Sequence, residues 1–299
     1  MRILVVVNPI AGNRKHPVCY RELIAEVLGS KAEVEYLLWE SATMDITHAV
    51  SEKINMEVFD CVMVMGGDGT VNRVAQALVG RNESLLIVPI GSGNGLARHL
   101  HIPMNIKKSI RLLLTGETVV IDTATINGLY FFCSAGVGFD AHIAFLFAQS
   151  NSRGLFTYIK MVLHSFFTYH SQRYKICYDG HTIEEDAFFV TVANANQWGN
   201  NVRVAPTSHI SDGLLQLVVL KSFHWFSIPV LAIRLLNGTF HKSAKVQTYQ
   251  AKSIKIERSS DDKEAHLDGE PLLLDNPLEI VINPVTLKII IPQGFQDSI

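Results

Sequence analysis

The run Gly66-Gly67-Asp68-Gly69-Thr70 collects the residue types that handle phosphate. Glycines let a backbone come close to a ligand and turn its N–H groups outward. Phe59, Val62, Met63, Val64 and Met65 precede the run and suit a strand buried on both faces. Val71, Val74, Ala75, Leu78 and Val79 follow at helical spacing, and Gly80 is placed to end that helix. A strand, a glycine turn and a helix N-terminus together form an anion site, because the helix dipole favours negative charge there. Asp68 is the exception. A carboxylate facing phosphates is unfavourable unless a cation such as Mg²⁺ lies between them, or unless it accepts a proton or a hydroxyl hydrogen bond. The loop is neither a GxxxxGK[ST] phosphate loop nor a GxGxxG dinucleotide turn.

The elements that must position this loop alternate. Residues 3–7 read as a buried strand that ends in the turn cluster Asn8–Asn13. Tyr20, Leu23, Ile24, Val27 and Leu28 form a helical stripe stopped by Gly29. A strand over Val34–Leu38, a helix over Ile46–Ile54 and a strand over Leu85–Ile90 come next, and the last ends in Gly91-Ser92-Gly93-Asn94-Gly95. Asn105 is placed to cap a helix that Gly116 ends. This βα alternation predicts a doubly wound parallel sheet over residues 1–122. Asn8–Asn13, Gly66–Thr70 and Gly91–Gly95 then share the carboxyl edge of that sheet, where open α/β sheets bind ligands.

The pattern changes near Thr118. Asn127-Gly128 and Asp179-Gly180 separate apolar runs as hairpin turns do. Most of residues 123–299 are strand-like, which predicts a β-sandwich domain with a cleft between it and the first. The sequence leaves open whether the last strand returns to the first domain. Two segments interrupt the strands: an aromatic-rich helical stretch over 140–172, broken near Gly154, and residues 223–237 as one apolar helix.

Composition excludes several classes. The 299 residues carry a formal charge of −2, which offers no bulk attraction for nucleic acid. The twelve histidines form no HxxxH or HExxH pattern, so no zinc site is expected. Four scattered cysteines without a CxxC pair read as reduced thiols. The first apolar run is too short for a secretory leader, and no stretch approaches the roughly 20 apolar residues of a membrane span. A cytoplasmic protein is expected.

Taken together, NPIAG, GGDGTVN and PIGSGNGLAR resemble the catalytic domain of the diacylglycerol kinase and sphingosine kinase family of lipid kinases. Ser211-Asp212-Gly213-Leu214-Leu215 and Leu267-Asp268-Gly269-Glu270 extend the resemblance across the second half. The resemblance implies transfer of the γ-phosphoryl group of ATP, with Mg²⁺, to the hydroxyl of a lipid such as diacylglycerol, a sphingoid base or ceramide. It implies nucleotide contacts at Asn8, Pro9, Ala11, Gly12, Gly66, Gly67, Asp68, Gly69, Thr70, Asn72 and Ser92. Asp68 takes the place of the family's Mg²⁺-linked acid, and Glu270 that of the general base. Asp212, with backbone carbonyls at His209 and Leu214, takes the place of a second cation site. Without the resemblance, Asp268-Gly269 reads as a hairpin turn and Ser211-Asp212-Gly213 as a plain turn.

Two departures stand out. Arg73 occupies a position where many relatives have Glu, and GSGN is closer to the sphingosine and ceramide kinases than to many bacterial diacylglycerol kinases. The lipid would be met at the inner membrane surface. The 140–172 segment, with Arg153 and Lys160, is a candidate apolar gate, and a homodimer is an open option. The rival readings are a kinase of a soluble acceptor such as NAD and a catalytically silent lipid-binding protein.

Overall fold

The structure, a computed structural model, describes residues 1–8, 17–39, 44–150 and 155–297. The chain divides into two compact units, Met1–Asp122 with Val285–Asp297, and Thr123–Pro284. It passes between them inside two strands, β5 (Glu117–Ile126) and β15 (Leu278–Ile291).

In the first unit, β1 (Arg2–Val7) pairs in parallel with β2 (Glu33–Leu38) and β3 (Cys61–Gly66), and β3 pairs in parallel with β4 (Ser84–Pro89). The end of β15 runs parallel to β4. Ile3–Val7, Cys61–Met65 and Leu85–Val88 are at most 1% exposed. Unbroken apolar runs buried to that degree need cover on both faces, which a parallel sheet receives from its crossover helices. Those helices are α1 (Pro17–Leu28), α2 (Ile46–Met56), α3 (Asp68–Gln76), α4 (Gly95–His99) and α5 (Ile106–Thr115). Asp45 caps α2 by accepting the His48 N–H at 3.0 Å, and Asn105 caps α5 through the Lys108 N–H at 3.1 Å.

Helix α3 is shorter than its apolar spacing suggests. It stops at Gln76, and the N–H groups of Ala77 and Leu78 reach back only three residues, to Val74 and Ala75. Gly80 takes φ +74° and donates its N–H to the Thr286 carbonyl at 2.7 Å, so it closes a turn on the returning chain and does not cap the helix.

The second unit holds β6 (Leu129–Phe131), β7 (Ser134–Gly138), α6 (Phe139–Gln149), α7 (Leu155–Phe166), β8 (Gln172–Tyr178), β9 (His181–Ala193), β10 (Leu215–Lys221), α8 (Ile228–Leu236), β11 (Val246–Ala251), β12 (Ser253–Arg258), β13 (Glu264–Leu267) and β14 (Glu270–Leu273). The order β14-β13-β7-β9-β8-β12-β15 forms the main path, and β10 lies between β9 and β11. Period 2 sorts the side chains. Val190, Val192, Leu215, Leu217 and Val219 enter the sandwich core, whereas Phe189, Ala193, Val218 and Leu220 enter a second apolar layer. That layer is closed by Phe139 and Ile143 of α6, Val162 and Phe166 of α7, and Leu231 and Leu235 of α8. The sheet is therefore buried on both sides here, which explains the near-continuous apolar run of β9.

Two expected helices are revised. The helical part of 140–172 ends at Phe166, and β8 begins at Gln172. Residues 223–237 contain a 3₁₀ turn at Trp225–Ser227 before α8, with Pro229 in the first helical turn, where its missing N–H costs nothing. Asn127-Gly128, Asp179-Gly180 and Asp268-Gly269 all have positive φ at both positions, as two-residue hairpin turns require.

Candidate active site

Strands β1, β3 and β4 are adjacent and parallel, so Asn8 at the start of the first loop, Gly66–Thr70 of the second and Gly91–Gly95 of the third leave the same sheet edge. The second and third are in backbone contact. A Cβ on Gly91 would lie 2.5 Å from Gly67 Cα, and one on Gly93 would lie 2.8 Å from Asp68 Oδ2. A Cβ on Gly66 would overlap the Thr70 side chain. None of these four glycines has positive φ. Their small size serves the packing of one loop on the other, a requirement that spacing along the chain does not display.

Asp68 is the first residue of α3, where the helix dipole favours its charge. Its Oδ2 accepts the Asn94 N–H at 2.8 Å and its Oδ1 accepts the Gly95 N–H at 2.6 Å. Those amides open α4, so one carboxylate serves two helix N-termini. Asn94 sits in the left-handed region at φ 53°. Its side chain accepts the Gly91 N–H at 3.1 Å and donates to the Gly91 carbonyl at 2.8 Å. Arg98 Nε donates to the Gly93 carbonyl at 3.0 Å. Asn94 and Arg98 thus set the shape of the third loop, although neither had been singled out from the sequence. An Asn inside a glycine cluster is the available signal, since Asn tolerates the left-handed region.

Asn8 joins the first loop to the second by donating from Nδ2 to Thr70 Oγ1 at 2.8 Å. Pro9, Ala11 and Gly12 lie outside the described residues. Ser92 is exposed at the tip of the third loop. Asn72 is buried and accepts a hydrogen bond from Gln76 Nε2 at 2.6 Å, one turn along its own helix. The N-cap of α3 is Gly67, which has no side chain to accept a first-turn N–H. Arg73 is exposed, and its guanidinium lies 5.5 Å from the centre of the Trp39 ring, a cation–π contact.

In the second unit, Glu270 opens β14 opposite Leu267 and is exposed. Asp268, beside it, is the anchor of the hairpin. Its carboxylate accepts the N–H groups of Phe132 at 3.0 Å, Cys133 at 2.7 Å and Ser134 at 3.0 Å, and its own N–H donates to the Ser134 carbonyl at 2.8 Å. Buried Arg258 braces the same hairpin by donating to the carbonyls of Glu264 and Leu274. Burial pulls the Arg258 guanidinium below the usual arginine range. At the start of α6, Asp140, its side chain 6% exposed, accepts at Oδ2 from Thr191 Oγ1 at 2.5 Å and lies 3.1 Å from His266 Nε2 of β13. Neighbouring Tyr169 and Tyr174 have hydroxyls raised well above the ordinary phenol range, chiefly by burial. The turn that precedes Glu270 is therefore held from three directions.

Asp212 is exposed and accepts the Leu214 N–H at 2.9 Å, which makes the Ser-Asp-Gly segment a side-chain-closed turn. His209 is half-buried. Among the described residues, no three His, Cys, Asp or Glu side chains converge as a metal centre would require. Of the apolar gate segment, Leu146 and Val162 are packed inward, Lys160 and Leu163 are exposed, and the side chains of 151–159 lie outside the described residues.

A glycine-loop edge on a parallel α/β unit, followed in the chain by a β-rich unit, fits the two-domain kinase that the motifs lead one to expect. Residues 2–126 match the family model of the diacylglycerol kinase catalytic domain, and residues 133–291 match the YegS C-terminal NAD kinase beta sandwich-like domain. The chain belongs to the diacylglycerol kinase-like family of bacterial lipid kinases. It is 31% identical over 261 residues to the protein named "Probable lipid kinase YegS-like" of Pectobacterium atrosepticum, a match spanning 83% of this chain and 85% of the relative. It is 27% identical to the diacylglycerol kinase of Bacillus subtilis, over 90% of this chain and 89% of that one. A crystal structure of a diacylglycerol kinase from Bacillus anthracis superposes with a TM-score of 0.78 over 98% of this chain and 97% of that one; at 24% identity it speaks for the fold alone. Among the described residues, no helix is long and apolar enough to cross a membrane.

Proposed function

We propose that this lipid kinase transfers the γ-phosphoryl group of ATP to the hydroxyl of diacylglycerol or of a related lipid. The observation that carries the nucleotide half is the Asp68–Asn94–Gly95 clasp, which holds two glycine loops in contact at the N-terminus of α3. Main-chain N–H groups fixed in that way stabilise phosphoryl charge without reorganising. Asn8 and Thr70 extend the same edge, and Ser92 supplies an exposed hydroxyl at its rim.

The donor set also suits magnesium. Mg²⁺ keeps most of its waters and takes the rest of its ligands from one or two carboxylates and substrate phosphates, so the single carboxylate of Asp68 is enough. When bound, the ion would neutralise charge on the transferring phosphoryl group. Asp212, with the carbonyls of His209 and Leu214, is proposed as a second, structural cation site, since loop oxygens are its available donors.

Glu270 is proposed as the base that accepts the proton of the lipid hydroxyl. It is a carboxylate on a turn immobilised by Asp268 and Arg258, which suits the positional demands of general-base catalysis. The names of the curated relatives support diacylglycerol as the first acceptor to test, while the GSGN loop keeps sphingoid bases and ceramide in the panel.

The test is incubation of the purified chain with γ-labelled ATP, Mg²⁺ and separate acceptors: diacylglycerol, a sphingoid base, ceramide and NAD. Label extracted with diacylglycerol is the expected result. Label on NAD alone would overturn the lipid assignment, and no transfer to any acceptor would leave a silent binding protein.

A further inference from the structure

Helix α8 is apolar on both sides. Leu231 and Leu235 enter the second apolar layer, so the opposite face should carry the polar residues of a surface helix. It carries Val230, Ile233 and Leu236, which are 54%, 60% and 60% exposed. Trp225 and Phe226 in the preceding 3₁₀ turn are each 61% exposed, with ring centres 4.9 Å apart. Five large apolar side chains on one short turn and helix are more than the scattered exposed hydrophobics of an ordinary surface.

The stretch of chain that carries the patch has charge of one sign. Between Asp212 and Glu257 the chain has six lysines and arginines and no acidic residue. Lys242 and Lys245, just beyond α8, are exposed. Exposed Arg203 reaches the C-terminal end of α8, donating its main-chain N–H to the Leu235 carbonyl and lying 3.3 Å from where a Gly238 Cβ would be. On β9, beside Lys221 and Ser222, the acids are already paired, Glu185 with Lys221 at 2.8 Å and Asp186 with Arg173 at 3.6 Å.

We infer that the Trp225–Leu236 segment docks on an anionic lipid bilayer, with Trp225, Phe226, Val230, Ile233 and Leu236 entering the headgroup boundary and Arg203, Lys242 and Lys245 meeting lipid phosphates. An apolar stripe rimmed by cations and containing a Trp is the composition of an interfacial helix. Cations near such a surface strengthen binding in a salt-dependent way. A second copy of the chain would bring the same cations face to face, which disfavours self-association through this patch. The inference builds on the lipid-acceptor reading, because an enzyme whose substrate lies in a bilayer must meet that bilayer.

The test uses the full chain with vesicles of phosphatidylglycerol and phosphatidylcholine, against phosphatidylcholine alone. The intact protein should co-sediment with the anionic vesicles, less so in high salt, with a blue shift of tryptophan emission that a Trp225→Phe variant loses. Ile233→Asp and Phe226→Ser, both exposed and so expected to fold, should each weaken vesicle binding by about tenfold or more, while turnover of a short-chain, water-dispersed diacylglycerol stays unchanged. Vesicle binding equal to wild type in both variants would overturn the inference. So would a dimer in light scattering that Ile233→Asp dissociates while vesicle binding persists, which would give the face to a second copy. Vesicle binding that the variants lose, with no lipid phosphorylated in any form, supports the docking surface and refutes the acceptor reading. Lipid turnover without vesicle binding does the reverse.

Discussion

The Asp68 carboxylate accepts the main-chain N–H of Asn94 at 2.8 Å across 26 residues of sequence. With the Gly95 N–H on its other oxygen, it ties the start of α3 to the start of α4. A carboxylate that would repel phosphate is therefore first a structural clasp, and any role toward a cation is exerted from that fixed position.

The two roles of Asp68 separate by substitution. Asp68→Ala removes a charged acceptor from two amides, and hydrogen bonds to charged groups contribute roughly 1.5–3 kcal/mol each. A thermal melt should show a drop of several degrees, and turnover should vanish. Asp68→Asn keeps one acceptor oxygen and should recover part of the stability without the turnover. Near-normal kcat in Asp68→Asn would remove the charge from the mechanism.

Gly91→Ala places a methyl group 2.5 Å from Gly67 Cα, where only backbone can yield. Overpacking of this kind costs about 1–3 kcal/mol. Because the strain falls on the loop edge, the Michaelis constant for ATP should rise more than the stability loss alone suggests. An unchanged ATP dependence would mean that the contact between these loops has no part in nucleotide binding.

Glu270 and Asp268 should respond in opposite ways. Glu270→Gln, at an exposed position, should leave the melting temperature within a degree or so and lower kcat by roughly 10²–10⁴ if it is the base. Asp268→Ala should lower the melting temperature, because three amides lose their acceptor. Lost folding in Glu270→Gln would make it a hairpin residue only.

Cys61 is fully enclosed in β3, and burial raises its thiol far above the ordinary range. Mass mapping after brief alkylation of the native protein should find Cys61 unmodified and, among the cysteines whose side chains are described, Cys177, which is partly exposed, labelled first. Rapid labelling of Cys61 would show that the sheet opens locally.

Local chemistry made much of the fold legible. The parallel α/β unit follows from apolar runs alternating with helical stripes, and the hairpins follow from Asn127-Gly128 and Asp179-Gly180. Where expectation and structure part, the competing cause is tertiary. Apolar spacing extends α3 to Gly80, yet Gly80 bonds Thr286 on a strand two hundred residues later (about that figure), and the helix ends first. Residues 223–237 read as one apolar helix; in the structure a 3₁₀ turn precedes the helix, and Leu231 and Leu235 are packed inward while Val230, Ile233 and Leu236 meet solvent.

By itself, then, the sequence determined the class of this protein: a kinase-type glycine edge on a parallel sheet, a β-rich second half and the motifs of a lipid kinase. These signals are local, written in turn chemistry and in periods of two and 3.6 residues. Only the tertiary structure decided what each special residue touches. It matched Asp68 to Asn94 and Gly95, Asp268 to the amides of 132–134, and the last strand to the first unit's sheet. Those partners lie 26, about 135 and about 200 residues apart, and spacing along a chain carries no record of contacts made by closing loops of that length.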